Sequence, residues 1–389
     1  MQQVRRTDVL VLGGGPAGIQ GSRMIKAQQP DWSVTMLRPE PASMVYCAIP
    51  YALEGLIPRE KALKNDELVT GAGVELIRDH AQEIDLREKW VRTRGGERID
   101  YERALLVTGA EPFVPPVPGA DLSRVETMKS QEDMDRVLGY LDRGAQKAVV
   151  VGAGAIGIEQ AIAYRNRGME VHLVDLQDRI LPHLTDADTS EPGREILEEM
   201  GIALHLRTKI AGFRGRAAVA GVDLSDGTSI DLDEGNDFVV LAIGMKPNVS
   251  LFEGQLELAP DGIVVDERMW TGMPDTFAAG DCTQCISGID GKPLGGKLAT
   301  NAVPQAKVAA LNLLGHQARY PGIFNGAATV VGDLRIGGTG FTETYARTRG
   351  FEPVVSVGES TSRFPMMPGA KPVRVKLVAD AATGRLIGG

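Results

Sequence analysis

The sequence is poor in cysteine, in aromatic side chains and in long apolar runs. Its 389 residues include three cysteines and 5% aromatic residues, and acidic side chains outnumber basic ones to give a formal charge of −9. Three cysteines are too few for the disulfide framework of a secreted domain, so each has a redox or a packing role. The negative charge and the scattered basic residues argue against a partner made of nucleic acid.

The chain also lacks any segment that predicts contact with a membrane. No apolar run reaches the ~20 residues of a transmembrane helix. The N-terminal residues 1–7 lead into a predicted strand without the apolar segment of a signal peptide. We therefore expect a cytoplasmic protein, and its length predicts two or three domains with room for a buried cofactor.

A glycine-rich turn follows the apolar run 9–12 near the N-terminus. In such a turn the backbone N–H groups approach a pyrophosphate at the start of a helix. We predict a dinucleotide site here. Its candidate residues are Gly13, Gly15, Pro16, Ala17 and Gly18.

The strand expected after this turn, 33–37, does not end in the acid that usually binds the ribose. Leu37 or Arg38 occupies that position, and Glu40 is the nearest carboxylate. Either Glu40 or a backbone group makes the ribose contact, or Arg38 contacts a phosphate or the adenine. The residues alone do not decide between these alternatives.

A second glycine turn follows the apolar run 149–151, and its glycines are Gly152, Gly154 and Gly157. A helical stretch over 158–168 and a strand over 170–174 come next, and the strand ends in Asp175. An acid about 20 residues past the first glycine is where ribose hydroxyls are bound. Asp175 would repel a 2′-phosphate and so favours NADH, while Arg179 leaves NADPH open.

Cys47 leads into a segment in which Pro50 begins a predicted helix. The N–H groups at the start of a helix stabilise a thiolate. Together with the first glycine turn, this cysteine suggests a flavin with a redox partner that uses a single sulfur. The alternative is a small buried side chain with a packing role.

Three later motifs complete an ordered pattern: Thr108-Gly109, Gly244 with Pro247-Asn248, and Ala279-Gly280-Asp281. With the two glycine turns, they make the chain resemble the FAD-dependent pyridine nucleotide–disulfide oxidoreductase family over essentially its whole length. The resemblance implies an α/β fold with two Rossmann-like dinucleotide-binding domains and a partial α+β C-terminal interface domain. It places the FAD domain at 1–114 and 245–322, the NAD(P) domain at 115–244 and the interface domain at 323–389.

The same resemblance assigns cofactors, residues and assembly. FAD and NADH are the implied cofactors, with Asp281 at the ribityl chain of the flavin and Glu159 near the nicotinamide. It also implies a homodimer formed through a C-terminal domain that is incomplete at Gly389.

Ser43 and Cys47, with no second cysteine five residues away, resemble the single-cysteine branch of the family. This branch contains coenzyme A disulfide reductases, persulfide or polysulfide reductases, NADH oxidases and NADH peroxidases. The peroxidases and oxidases carry a histidine where this chain has Pro16. We therefore expect an NAD(P)H oxidoreductase that reduces a coenzyme A persulfide, a polysulfide or coenzyme A disulfide.

Basic residues give the resemblance to coenzyme A reductases further detail. Arg23 and Lys26 match positions that bind coenzyme A phosphates there, although they would equally suit a solvated helix face. Lys61, grouped with Arg59 and Lys64, either joins that phosphate site or has no role.

Two features limit this interpretation. The segment 364–369 has methionines where coenzyme A disulfide reductases have a tyrosine acid, and methionine cannot donate a proton. This disfavours a strict disulfide mechanism but leaves persulfide cleavage open.

Cys282 and Cys285 form a C-x-x-C pair for which packing near FAD is favoured over a second dithiol, and no metal site is expected.

Two alternative functions remain open on the sequence. An NADH oxidase would pass the electrons to O₂ instead of to sulfur. A flavin reductase of a protein acceptor, such as a rubredoxin or ferredoxin, would pass them to another electron carrier.

Overall fold

The computed structural model describes residues 4–389 and places their strands in several separate sheets. Met1, Gln2 and Gln3, which begin the N-terminal segment considered above, lie outside the described residues. The first elements are β1 (Val4–Leu12), α1 (Pro16–Gln28), β2 (Val34–Leu37), β3 (Ser43–Met44), α2 (Ile49–Glu54), β4 (Leu63–Lys64), α3 (Glu67–Thr70), β5 (Glu75–Ile77), β6 (Ala81–Asp85), β7 (Trp90–Thr93), β8 (Arg98–Leu106) and β9 (Ala110–Pro112).

The first sheet is built around β1. Its order is β5-β2-β1-β8-β7-β6, and β1 runs parallel to both β2 and β8. The residues Val9 to Leu12 are buried on both faces, as expected for a central strand of a parallel sheet. This run of branched side chains places the first glycine turn at the carboxyl edge of the sheet.

The second sheet belongs to the middle of the chain. Its elements and those beside it are β10 (Val125–Thr127), α4 (Gln131–Asp142), β11 (Lys147–Val151), α5 (Ala155–Asn166), β12 (Glu170–Val174), α6 (Ala187–Glu199), β13 (Ile202–His205), β14 (Ile210–Gly215), β15 (Val219–Leu224), β16 (Ser229–Asp231) and β17 (Phe238–Leu241). The strand order is β10-β17-β11-β12-β13, and all neighbours are parallel. The antiparallel strands β14, β15 and β16 pack against one face of it.

The chain then returns to the first sheet. The next elements are β18 (Met245–Pro247), β19 (Leu258–Ala259), β20 (Gly262–Ile263), β21 (Thr276–Ala278) and α7 (Ala299–Leu313). β18 pairs with β9, so the outgoing and returning segments lie side by side, and β21 joins the first sheet beside β8. α7 packs against α1 through small residues such as Ala306 and Gly21.

The last segment forms a C-terminal unit of mixed character. It contains β22 (Ala327–Val331), β23 (Leu334–Gly338), α8 (Glu343–Thr348), β24 (Pro353–Thr361), β25 (Pro372–Asp380) and β26 (Leu386–Gly388). The fold class predicted from the sequence is confirmed: two Rossmann-like α/β units are followed by an α+β unit. The exact domain boundaries stay a prediction.

The helix after the second glycine turn differs in its ends from the prediction of 158–168. α5 begins at Ala155, because Gly154 is already its N-cap, and ends at Asn166. Gly168 adopts a φ of +86°, which a right-handed helix cannot contain. Within residues 4–389, no helix has the length and apolar character needed to cross a bilayer.

Candidate functional site

The first glycine turn is shaped by close backbone approach. Gly13 has a φ of +118°, and a Cβ there would overlap the carbonyl of Val107. Gly18 faces the carbonyl of Gly13 in the same way. In contrast, Gly15 caps α1 without a side-chain hydrogen bond, and nothing lies within 4 Å of the position of its Cβ. The start of α1 therefore opens onto free space suited to a pyrophosphate.

Arg38 covers this turn from the side. It is 2% exposed and its side chain lies against Gly14. Its guanidinium donates to Asp66 Oδ1 at 2.8 Å and to the carbonyls of Glu40 and Pro41. Because these protein groups hold the guanidinium, Glu40, which is exposed, is the better remaining candidate for a contact with the ribose.

Thr108 and Asp281 lie at the same edge, at the ends of the neighbouring strands β8 and β21. Thr108 Oγ1 donates to Asn248 O at 2.6 Å, and Asn248 Nδ2 donates back to Thr108 O at 3.1 Å. This pair fixes the crossing between the first and second units. Gly109 (φ +70°) and Gly280 (φ +81°) make the tight turns beside it.

The Cys47 segment lies between β3 and α2. Residues 46–48 form a short 3₁₀ turn, and α2 then begins at Ile49 with Pro50 in its first turn, as the sequence predicts. Cys47 is exposed. Ser43, in β3 just before the segment, is buried, and its Oγ has no hydrogen-bond partner among residues 4–389.

A buried hydroxyl usually has a hydrogen-bond partner, and a bound cofactor would supply the partner that Ser43 lacks among residues 4–389. The open start of α1 and the glycines of the turns lie at the carboxyl edge of the first sheet, and the Ser43 hydroxyl lies in the β3–β4 pair. These groups fit a bound FAD, with Asp281 available as an acceptor for ribityl hydroxyls.

The other two cysteines have a different environment. Cys282 and Cys285 are buried, and their Sγ atoms lie 3.4 Å from Ala279 O and 3.8 Å from Gly296 O. Burial raises the pKa of both thiols. Their packing role is therefore favoured over a second dithiol, and Cys47 is the exposed sulfur among the cysteines.

Lys129 lies just before α4 in the second unit, and its amine reaches the first unit near Asp281. Nothing in the sequence pattern indicated this contact. Lys129 Nζ lies 3.7 Å from Asp281 Oδ2 and 4.3 Å from the ring centroid of Tyr46. Its backbone N–H donates to Asp133 in the capping box of α4, which fixes its position. Burial lowers the pKa of the Lys129 amine, and the negative charge of Asp281 opposes this shift.

The second glycine turn repeats the geometry of the first. A Cβ at Gly157 would overlap Gly152 O, while nothing lies within 4 Å of Gly154, the N-cap of α5. Asp175 Oδ2 accepts from Ala153 N at 2.5 Å and its Oδ1 accepts from Gln177 N at 2.7 Å. These two hydrogen bonds hold the carboxylate at the glycine turn.

Two other residues predicted for NAD lie at the borders of this unit. Gly244 has a φ of +119° and follows β17. Glu159 lies on α5, and its Oε1 accepts a hydrogen bond from Thr329 Oγ1 of β22 at 2.7 Å. Burial raises the pKa of Glu159, and the Thr329 hydrogen bond opposes that rise.

A cavity of about 620 Å³ lies between α1, α7 and the loop after α3. It is lined by Gln20, Arg23, Met24, Lys26, Ala27, Ala72 and Lys307. Lys26 Nζ already donates to Pro30 O at 2.6 Å and Trp32 O at 2.9 Å. Arg23 and Lys307 form no ion pair within residues 4–389, and Lys307 had no signal in the sequence beyond its charge. Lys61 is exposed and is not among the lining residues.

Comparison with known proteins places this geometry in a family. The model of the pyridine nucleotide-disulphide oxidoreductases matches residues 7–306. An NADH oxidase of Methanocaldococcus jannaschii is 32% identical, over 97% of this chain and 86% of its own length. A coenzyme A-dependent NAD(P)H sulfur oxidoreductase of Pyrococcus furiosus is 30% identical, over 99% of this chain and 88% of its own.

Solved structures similar to this chain include the same kinds of enzyme. A NAD-dependent persulfide reductase from A. fulgidus superposes with a TM-score of 0.93 at 28% identity, covering 98% of this chain and 73% of the other. A water-forming NADH oxidase from Lactobacillus brevis gives 0.91 at 28% identity, covering 98% and 86%. The chain therefore belongs to the pyridine nucleotide-disulphide oxidoreductase family, and its cofactors are FAD and a nicotinamide dinucleotide.

Proposed function

We propose that this enzyme oxidises NAD(P)H and reduces a sulfur substrate through Cys47. The observation that carries the proposal is the exposed Cys47 beside the buried, unpartnered hydroxyl of Ser43, while the other cysteines are buried. When bound, FAD supplies a two-electron carrier between the nicotinamide and the cysteine sulfur.

The protein's own residues bind and orient the reactants. The turn that contains Gly154 and the start of α5 bind the pyrophosphate of the dinucleotide, and Asp175 accepts from the ribose hydroxyls. Glu159 orients the nicotinamide end. The exposed Cys47 sulfur attacks the sulfur substrate as a nucleophile.

A coenzyme A persulfide is the substrate class that the basic cavity favours. Within residues 4–389, Arg23 and Lys307 form no ion pair and are available to phosphates, and two relatives named for coenzyme A and sulfur reduction match 99% and 100% of this chain. Polysulfide and coenzyme A disulfide are the alternatives within the same chemistry.

We also propose that the protein is a homodimer. The hairpin of β24 and β25 exposes apolar side chains along its strands and at its tip, and a second copy of the chain would cover them. These residues are Val354, Val357, Phe364, Met366, Met367, Val373, Val375 and Leu377. A cytoplasmic location stays a prediction.

The mass of the protein under non-reducing conditions tests the role of Cys47. After incubation with coenzyme A persulfide and removal of the excess, a peptide containing Cys47 should carry an added sulfur or a coenzyme A group. Addition of a single oxygen on air exposure, with no sulfur adduct, would favour an NADH oxidase. Unmodified Cys47 under both conditions would overturn the proposal.

A further inference from the structure

The segment around Cys47, residues 43–62, lies early in the chain but packs on the second unit. Its buried apolar side chains share one hydrophobic cluster with α4, α5 and the strands of the second sheet. They are Met44, Ile49, Ala52, Leu53 and Ala62. Within residues 4–389, none of them joins the two clusters that cover the faces of the first sheet. Packing on α4 and α5 therefore sets the position of this segment.

Arg167 joins the end of α5 to the end of α2. It is the C-cap residue of α5, and its Nη1 donates to Leu53 O at 2.8 Å. The last carbonyls of a helix have no partner inside the helix, and an arginine can supply one. Backbone N–H groups that follow α2 donate to the carbonyls of Tyr51 and Ala52. The carbonyl of Leu53, a fully buried residue, instead receives its hydrogen bond from Arg167.

Two further contacts follow the same border. Asn166 Nδ2 donates to Glu54 Oε1 at 2.8 Å. Arg59, after α2, pairs with Asp135 of α4 at 2.5 Å. Both contacts are partly open to solvent, where a polar pair contributes little. Arg167 is thus the polar side chain best placed to fix α2 on the second unit.

The turn that contains Cys47 is continuous with α2. Ile49 N donates to Tyr46 O, which closes the 3₁₀ turn, and α2 begins at that same Ile49. Residues 46–54 therefore form one short stretch of hydrogen-bonded backbone. A shift of Leu53 at its far end would carry Cys47 with it.

We propose that Arg167 is a positioning residue that acts through α2 to fix Cys47 for its reaction with the sulfur substrate. The inference rests on the proposed function. Reacting atoms must meet in a defined geometry, and a displacement of about 1 Å can cost about 100-fold in rate. Loss of Arg167 should therefore slow the step that uses Cys47 and spare the oxidation of NADH, in which Cys47 takes no part.

Arg167→Met tests this role against a matched control on the same helix. Arg165 Nε donates to Met200 O at 2.6 Å, entirely within the second unit, so Arg165→Met removes a similar contact that does not involve α2. Arg167→Lys keeps the charge and a donor. Stopped-flow absorbance follows flavin reduction by saturating NADH and then flavin reoxidation by coenzyme A persulfide. Hydrogen exchange of residues 46–54 gives a readout that does not depend on turnover.

Arg167→Met should slow reoxidation about tenfold or more, leave flavin reduction within about twofold of wild type, and speed exchange in residues 46–54. Arg167→Lys should show the same changes to a smaller degree, and Arg165→Met should match wild type in reoxidation and in that exchange. Equal slowing of both half-reactions, no slowing of reoxidation, or the same slowing in Arg165→Met would overturn the inference.

Failure of the proposed function would give a different result. A wild-type flavin that no sulfur compound reoxidises would overturn the proposed function itself. The exchange comparison would then decide alone whether Arg167 fixes the turn that contains Cys47, and unchanged exchange of residues 46–54 in Arg167→Met would overturn that claim.

Discussion

Thr329 Oγ1 donates a 2.7 Å hydrogen bond to Glu159 Oε1 and so joins the C-terminal unit to the helix after the second glycine turn. Thr329 is 4% exposed, and the two residues are 170 positions apart in the chain. The C-terminal unit therefore fixes the orientation of a carboxylate that we assign to the nicotinamide end of the site.

Thr329→Val should weaken NADH binding. Loss of a hydrogen bond to a charged group costs about 1.5–3 kcal/mol, so the KM for NADH should rise about tenfold or more. Because the hydrogen bond lowers the pKa of Glu159, its loss should also move the acid limb of the KM profile to higher pH. Thr329→Ser, which keeps the hydroxyl, should behave as wild type. An unchanged KM and pH profile in Thr329→Val would show that the contact has no role in binding.

Asp186→Asn should loosen the C-terminal unit. Asp186 accepts from the backbone of Glu343 and Thr344 at the start of α8 and pairs with Lys376 of β25 at 3.0 Å. Burial works against ionisation, yet the hydrogen bonds from Thr344 and Lys376 prevail and lower the pKa of Asp186 to about 2. The free energy of local unfolding should fall by about 1–3 kcal/mol in the variant. Faster hydrogen exchange in α8 and β25 would report this loss.

The pH dependence of this linkage has a defined sign. A carboxylate with a lowered pKa stabilises the folded state above its unfolded value, near 3.8, and the stabilisation is lost as the pH falls towards about 2. The difference between wild type and Asp186→Asn should therefore shrink below about pH 4. Asp142→Asn, at an exposed acid, is the matched control. A difference that grows on acidification would contradict this account.

Arg23→Ala and Lys307→Ala should each raise the KM for coenzyme A persulfide with little change in kcat. In the proposed site both cations bind phosphate away from the reacting sulfur, so their loss should remove binding that is common to substrate and transition state. The KM for inorganic polysulfide should not change. Arg87→Ala, at an exposed site elsewhere, is the control. An equal rise in KM for both substrates would contradict the proposal that this cavity binds coenzyme A.

Gly15→Ala and Gly18→Ala should separate cofactor binding from folding. A methyl group at Gly18 overlaps the backbone of Gly13, so this variant should be less stable even without FAD. A methyl group at Gly15 meets no protein atom, so this variant should fold normally but lose affinity for FAD, whose pyrophosphate needs that space. Thermal unfolding of the apoprotein and FAD titration measure the two effects. Equal apoprotein stability of the two variants would contradict this reading.

The sequence predicted the parts of this structure that depend on local spacing. A strand, a glycine turn, a helix and an acid in order specify a dinucleotide turn, and the strand predicted at 170–174 is β12 with the same limits. The proline after Cys47 likewise predicted α2. These features depend on backbone geometry that a few neighbouring residues determine.

Contacts between distant segments were not predictable from the sequence. Lys129 reaches Asp281 and Thr329 reaches Glu159 only because separate units pack together, and Lys307 lines the same cavity as Arg23 only because α7 packs against α1. Arg38 shows the same limit: its position suggested a contact with a phosphate or the adenine, but Asp66, 28 residues later, holds its guanidinium. A lysine or threonine without a local motif carries no sequence signal of such a partner.

The most direct test of the central claim separates the two halves of the reaction in Cys47→Ser. Under anaerobic conditions, stopped-flow absorbance follows flavin reduction by NADH and then flavin reoxidation by coenzyme A persulfide or polysulfide. The account predicts reduction at the wild-type rate and no reoxidation by the sulfur substrate, because serine cannot accept the sulfur. Reoxidation of Cys47→Ser by persulfide at the wild-type rate would contradict the claim that Cys47 carries the electrons to sulfur.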